Sequence, residues 1–169
     1  MTKRISIKGV SYRLAKKSDL ENVFAMAKKL LDLHKKYGWY YTFKGNYLSI
    51  LKRTLFSCIS SKKSFVLVAE LDGALVGYAM VRISEKPYEP EQIYVWKREA
   101  ELLDLFVEPP FRNRGIGSAL FEKAYALAGK KKVDVIRVIA DVRNKGADKF
   151  YKREGMDLYD EVLVERVRR

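Results

Sequence analysis

Two glycines one residue apart, Gly115 and Gly117, follow two arginines, Arg112 and Arg114, in the stretch Leu105-Phe-Val-Glu-Pro-Pro-Phe-Arg-Asn-Arg-Gly-Ile-Gly-Ser-Ala-Leu-Phe121. An apolar strand ends at Val107, Pro109 and Pro110 stop it from continuing, and a helix begins near Gly115. A residue without a Cβ lets a ligand lie against the backbone. The first N–H groups of the helix and the positive end of its dipole point out of the loop, and the arginines add fixed charge. This is an anion site made mostly of backbone, suited to a pyrophosphate. Two well-known phosphate loops do not fit. No Gly-Lys-[Ser/Thr] follows the glycines, and Leu120 stands where a dinucleotide fingerprint has its third glycine, with no acidic ribose partner evident.

The carboxylates that could take a proton beside this loop are Glu101 and Asp104 on the strand leading into it, and Asp141 at the end of the next strand. Side chains alternate along a strand, so Glu101 and Asp104 face opposite sides unless a bulge intervenes. The plainer reading of each is a strand carboxylate paired with a nearby Lys or Arg. His34, the one histidine, has no second histidine or paired cysteine to make a metal site and reads as packing or surface. Cys58, the one cysteine, reads as a small buried hydrophobe. It excludes an internal disulfide or a cysteine metal cluster, and a reducing cytoplasm is the expected setting. No metal is called for.

The elements that must hold these groups are legible from periodicity. Residues 10–16 read as a short strand, and Ser18-Asp-Leu-Glu21 as a capping box opening a helix. Leu20, Val23, Phe24, Ala27, Leu30, Leu31 and Tyr37 keep helical spacing to about Gly38. The aromatic run 39–43 is a core wedge or a wall of a substrate pocket. A second helix runs from an Asn46 cap to about Ile59. Phe65–Leu71 and Ala74–Ile83 are strands joined by Asp72-Gly73, a hairpin signal. Residues 84–98, with two prolines and three aromatics, form a loop or extended hairpin beside the site. Glu99–Val107 is the central strand, Gly115–Gly129 a helix, Val133–Val142 a β-branched strand, Ala147–Arg153 a short helix, and 157–167 a last strand or hairpin.

At 169 residues the chain is long enough to bury a proper core as one domain spanning 1–169. It has no run of about 18 apolar residues, which argues against a membrane span, and its start lacks the apolar core of a signal peptide. The net charge of +13 fits either nucleic acid or an anionic ligand. Its basic residues are spread along the chain, and the longest run, Lys130-Lys131-Lys132, falls at a helix end where it matches the dipole. An anionic small molecule is favoured over nucleic acid.

The spacing Arg112-x-x-Gly115-x-Gly117 after an apolar strand resembles the acetyl-coenzyme-A signature of the GNAT superfamily of N-acetyltransferases. Asn144-Lys-Gly-Ala147-Asp-Lys-Phe150-Tyr151, followed by Gly155-Met156, is similar to that family's second motif. The likeness spans roughly 10–160 and is specific over 102–156. It implies an α/β (α+β) fold with a mixed, mainly antiparallel sheet of about six to seven strands flanked by helices. It implies acetyl-CoA as cosubstrate, held by Leu105, Phe106, Val107, Arg112, Asn113, Arg114, Gly115, Ile116, Gly117, Ser118, Asn144, Ala147, Phe150 and Tyr151. Tyr151 would be the acid near the coenzyme sulfur. Asp104, eight before Arg112, matches an acidic position of the diamine-acetyltransferase branch. Glu101, eleven before, matches the general-base position of the lysine-acetyltransferase branch and is slightly favoured as base, with Asp104 orienting the amine.

Acetyl transfer from a thioester to an amine has requirements of its own. A lysine-type amine has a pKa near 10.4, so about one in a thousand molecules is neutral at pH 7 and a carboxylate must help remove the proton. The tetrahedral intermediate needs an N–H aimed at its oxyanion, here expected from about Phe106 or Val107. The acceptor is a primary amine, on a small molecule such as a polyamine or on a protein N-terminus or lysine, chosen by regions 37–47 and 84–100. The rival reading is a non-catalytic CoA-binding or basic nucleic-acid-binding module of the same fold. The edge of the last strand offers a surface for a second copy of the chain.

Overall fold

The computed structural model describes residues 9–36, 43–84 and 97–159. Among them, five strands form one sheet in the order β1-β2-β3-β4-β5: Ser11–Leu14, Ser64–Leu71, Ala74–Ser84, Glu99–Val107 and Val135–Val138. The first four pair antiparallel, and β5 runs parallel to β4. Helices α1 (Leu20–His34) and α2 (Tyr47–Ser60) cover one face, while α3 (Ile116–Lys130) is the crossover on the other. The mixed, mainly antiparallel sheet is as expected, with five strands instead of six to seven. The strand expected at 157–167 lies outside the described residues beyond Tyr159, and 157–159 are not in a strand. Tyr37, most of the 39–43 cluster and most of the 84–98 segment also fall outside them.

Patterning accounts for the layers. In β2, Phe65, Leu67 and Ala69 join the core under α3, while Val66 and Val68 join the core under α1 and α2. Both faces are buried, so β2 reads as a continuous apolar run without polar alternation. Each fully buried Val or Leu contributes roughly 1.5–3 kcal/mol. The β2–β3 hairpin closes at Asp72 and Gly73, with φ of 50° and 80°, the pair of left-handed residues that a two-residue turn between antiparallel strands requires.

The first helix starts differently from expectation. A short 3-10 turn over Lys17–Asp19 precedes it, and Asp19 takes the capping role assigned to Ser18 and Glu21. Its Oδ2 accepts the Lys16 N–H at 2.6 Å and a bond from Arg13 at 2.7 Å. Arg13 also donates to Glu70 at 2.7 Å. The nearby guanidinium holds the Asp19 carboxyl below its ordinary range, so this buried charge is both paired and hydrogen-bonded. Asn46 stands at the N-cap of α2 without a side-chain capping bond.

Candidate active site

β4 is the element on which the site is built. It pairs with β3 along its whole length but with β5 only from Glu99↔Val135 to Leu102↔Val138. From Leu103 to Val107 its far edge has no strand partner among the described residues, and the two strands part. The expected strand 133–142 stops short for this reason: Ile139 and Val142, at 76% and 66% exposure, have already left the sheet. Glu108 donates its N–H to Val76 O, toward β3. The alternation of an antiparallel ladder then turns the amides of Leu105 and Val107 the other way, into the gap, and that of Phe106 toward β3. Of the two amides expected to stabilise an oxyanion, Val107 faces the gap, and Leu105 joins it in place of Phe106.

Past Val107 the chain turns through a 3-10 segment at Pro109–Phe111. Arg112 folds back, its Nε donating to Val107 O at 2.8 Å and its guanidinium lying over the Phe106 ring at 5.4 Å. Asn113 and Gly115 adopt φ of 59° and 82°. These left-handed residues bend the loop into the start of α3, where the first amides of a helix favour an anion. The helical ladder opens with Ala119 N–H donating to Gly115 O, so the amides of Ile116, Gly117 and Ser118 precede the first intrahelical donor. The glycine spacing thus produces the predicted backbone geometry.

The second motif packs on this first turn. Asn144 caps α4 (Lys145–Arg153), its Oδ1 accepting the Ala147 N–H at 3.1 Å. Phe150 packs directly over Gly117, its Cε2 3.4 Å from where a Cβ would stand. Phe121, Phe150 and Tyr151 form a ring cluster with centroids 5.2–6.3 Å apart. Ser118 Oγ donates to Glu154 Oε1 at 2.6 Å, with both side chains buried, tying the end of α4 to the start of α3. Burial first, then the charge of Asp104, pushes the Tyr151 hydroxyl well above its ordinary pKa. Tyr151 therefore keeps its proton at neutral pH and lies within electrostatic reach of Asp104.

The two strand carboxylates stand on the same face, because a bulge does intervene. Asp104 is opposite Met80 and Leu102 opposite Val81, leaving Leu103 as the extra residue. Their surroundings differ. Glu101 is ion-paired with Arg82 at 2.7 Å, with Arg137 at 3.8 Å. Asp104 Oδ2 accepts from the Tyr78 hydroxyl at 2.9 Å. Burial raises the Asp104 pKa, while the Tyr78 bond and the charge of His34 pull it down. Asp141 lies past the end of β5, clasped by Arg143 at 2.6 Å and lowered to about 2, which suits a loop clasp better than a base.

Sequence reasoning missed Tyr78 and understated His34. Tyr78 sits at 0% exposure in mid-strand, and a tyrosine there is itself a signal, because a buried phenol needs a partner. His34 ends α1, and its charge acts on Asp104, a relation that no spacing could reveal. Phe43, at the end of the aromatic run, lines an apolar cavity of about 290 Å³ between α1 and α2 with Leu31, Tyr47, Ile50 and Leu51. Among the described residues no cluster suits a metal, and no helix is long and apolar enough to cross a membrane.

Known proteins resemble the chain. An uncharacterized N-acetyltransferase of Methanocaldococcus jannaschii is 48% identical over 62 residues, 36% of this chain and 27% of that one. Another, from Archaeoglobus fulgidus, is 33% identical over 98 residues, 58% of this chain and 63% of that one. The chain thus matches less than two thirds of the length of either relative. The tetramutant of BH1408 protein from Bacillus halodurans superposes with a TM-score of 0.81 at 21% identity, covering 93% of this chain and 99% of that one. The aminoglycoside N-acetyltransferase AAC(6')-Iy, solved with CoA, superposes with a TM-score of 0.74 at 18% identity, covering 94% and 95%. At such identities these structures share the fold. The profile of the acetyltransferase (GNAT) family matches residues 30–156, across the parted strands, the glycine loop and the second motif, and the chain belongs to that family.

Proposed function

We propose that this single domain transfers an acetyl group from acetyl-CoA to a primary amine by direct attack in a ternary complex. The observation that carries the proposal is the parting of β4 from β5 beside a glycine loop that opens α3. The pyrophosphate lies on the amides of Ile116, Gly117 and Ser118 with Arg112, Asn113 and Arg114 around it. The pantetheine arm enters the gap along Leu105 and Val107, bordered by Asn144, Ala147 and Phe150. CoA in the solved neighbour supports this assignment.

The amine nitrogen attacks the thioester carbonyl, forming the C–N bond while its proton leaves to a carboxylate. Holding a lysine-type amine neutral at pH 7 costs about 4–5 kcal/mol, which sets what that carboxylate must supply. We assign the step to Asp104, because Glu101 is neutralised by Arg82; this reverses the order read from sequence position and leaves Glu101 as a support. The oxyanion is held by the Leu105 and Val107 amides. Its collapse breaks the C–S bond, and Tyr151 gives its proton to the departing thiolate.

A thermal shift on adding acetyl-CoA, followed by thiol release across N-terminal peptides, lysine peptides, polyamines and aminoglycosides, tests the reading. Tyr151→Phe should lower kcat by about 10²-fold with acetyl-CoA binding retained; full activity would remove Tyr151 from the mechanism. Salt-sensitive DNA binding without thiol release would favour the non-catalytic module instead.

A further inference from the structure

Among the described carboxylates of β4 and of the turns that follow β4 and β5, Asp104 alone is held by a hydrogen bond and not by an ion pair. Glu101 has Arg82, Glu99 has Arg137, Glu108 has Lys29 at 2.7 Å, and Asp141 has Arg143. Asp104 has the Tyr78 hydroxyl. The ring of Tyr78 is packed among Val23, Leu55, Met80 and Phe106 in the core under α1 and α2, where phenylalanine would fill the same space. Burying a hydroxyl there costs about 1–3 kcal/mol unless it is bonded, so the oxygen adds nothing to packing, and Asp104 is what it meets. The meeting depends on Leu103 being set out of the ladder as a bulge, since strict alternation through it would turn Asp104 toward α3 and away from Tyr78.

We propose that Tyr78 is a positioning residue of the transfer reaction, its buried hydroxyl holding Asp104 by Oδ2 so that Oδ1 is the oxygen presented to the incoming amine. The inference rests on the acetyltransferase reading and specifies how its base is held. The groups that face Asp104 are Tyr78 from β3, His34 from α1, Cys58 from α2 and Tyr151 from α4, with Glu101 and Arg82 farther along the same face. Of these, only Tyr78 bonds the carboxyl directly, and an ionised carboxylate gains more from that bond than a protonated one. The hydroxyl therefore favours the form of Asp104 that can accept a proton, against the burial that opposes it.

The test is Tyr78→Phe in the full chain, with turnover measured against pH. Loss of a hydrogen bond to a charged group should lower kcat/KM for the amine about tenfold at neutral pH. The acidic limb should move to higher pH, activity should return under alkaline conditions, and KM for acetyl-CoA should stay as it was. A profile that keeps the wild-type shape, at full or uniformly reduced height, overturns the inference. Carboxyl NMR gives a readout independent of turnover. The Asp104 signal, identified by its loss in Asp104→Asn, should titrate at higher pH in Tyr78→Phe than in the wild type, and an unmoved titration overturns the proposal. Wild-type protein that releases no thiol with any amine sinks the acetyltransferase reading and this inference with it. An active wild type with an unmoved Tyr78→Phe profile sinks the inference alone.

Discussion

The same chemical change, Gly→Ala, should have opposite effects at Gly77 and Gly129. Gly77 lies in β3 opposite Val107. A Cβ there would meet Phe106 O at 2.8 Å, Leu120 Cδ1 at 3.3 Å and Val107 Cγ2 at 3.4 Å. The first contact decides the outcome, because a backbone carbonyl held in a sheet cannot rotate away as a side chain can. Overpacking of this kind costs about 1–3 kcal/mol, while losing a glycine from a strand returns up to about 1 kcal/mol. The net is a loss of about 1–2 kcal/mol, and at about 2–4 °C per kcal/mol for a chain of this size the Tm should fall by about 2–8 °C. Gly129, near the end of α3, has nothing within 4 Å of a built Cβ, so only the entropic gain remains. Gly129→Ala should add about 0.5–1 kcal/mol and raise the Tm by about 1–4 °C. Scanning calorimetry measures both. The displaced Phe106 carbonyl lies between the two amides that face the gap, so Gly77→Ala should also lose kcat by about tenfold or more, while Gly129→Ala keeps it. A Gly77→Ala protein melting at or above the wild-type temperature, or a Gly129→Ala protein melting below it, would refute the reasoning.

Two further expectations concern the site. The native pKa of Asp104 is raised above its unfolded value, so the native state binds more protons in that window and stability falls as pH rises from the ordinary carboxylate range through the native value. Asp104→Asn should therefore be more stable than the wild type at neutral pH while losing activity; chemical denaturation at two pH values checks this, and equal stability at neutral pH would contradict it. Arg112→Ala removes both the clasp on Val107 O and a charge that the proposed function sets beside the coenzyme phosphates. It should raise KM for acetyl-CoA about tenfold and flatten its dependence on ionic strength, whereas an unchanged salt dependence would take Arg112 out of the phosphate site.

Much of this fold is local in origin and was readable in the sequence. β4 spans Glu99–Val107 as its apolar run indicates, and Asp72-Gly73 makes the hairpin turn its chemistry demands. α3 begins one residue after the glycine that needs a left-handed φ. What could not be read depends on contacts across the chain. Nothing in Leu102-Leu103-Asp104 marks Leu103 as surplus; the register with β3 makes it so. The β-branched run from Val133 predicts a longer strand than Val135–Val138, because the parting from β4 is a tertiary event that propensity does not record. Asp19 displaces Ser18 and Glu21 at the first helix because Arg13, itself held by Glu70, sits where it can neutralise it. The ion pair between Glu101 and Arg82 joins different strands, and with it goes the sequence-level preference for Glu101 as base.

The surplus Leu103 divides β4 into two halves of opposite parity. Before it, even-numbered residues (Ala100, Leu102) look toward α3; after it, odd-numbered ones do (Leu105, Val107). One continuous strand therefore keeps its early half knitted to β5 while its later half presents Asp104 on one face and Leu105 and Val107 on the other. It also leaves the strand sensitive to register: if Leu103 were taken into the ladder, strict alternation would turn the Asp104 carboxylate toward α3, with every side chain of the site still present.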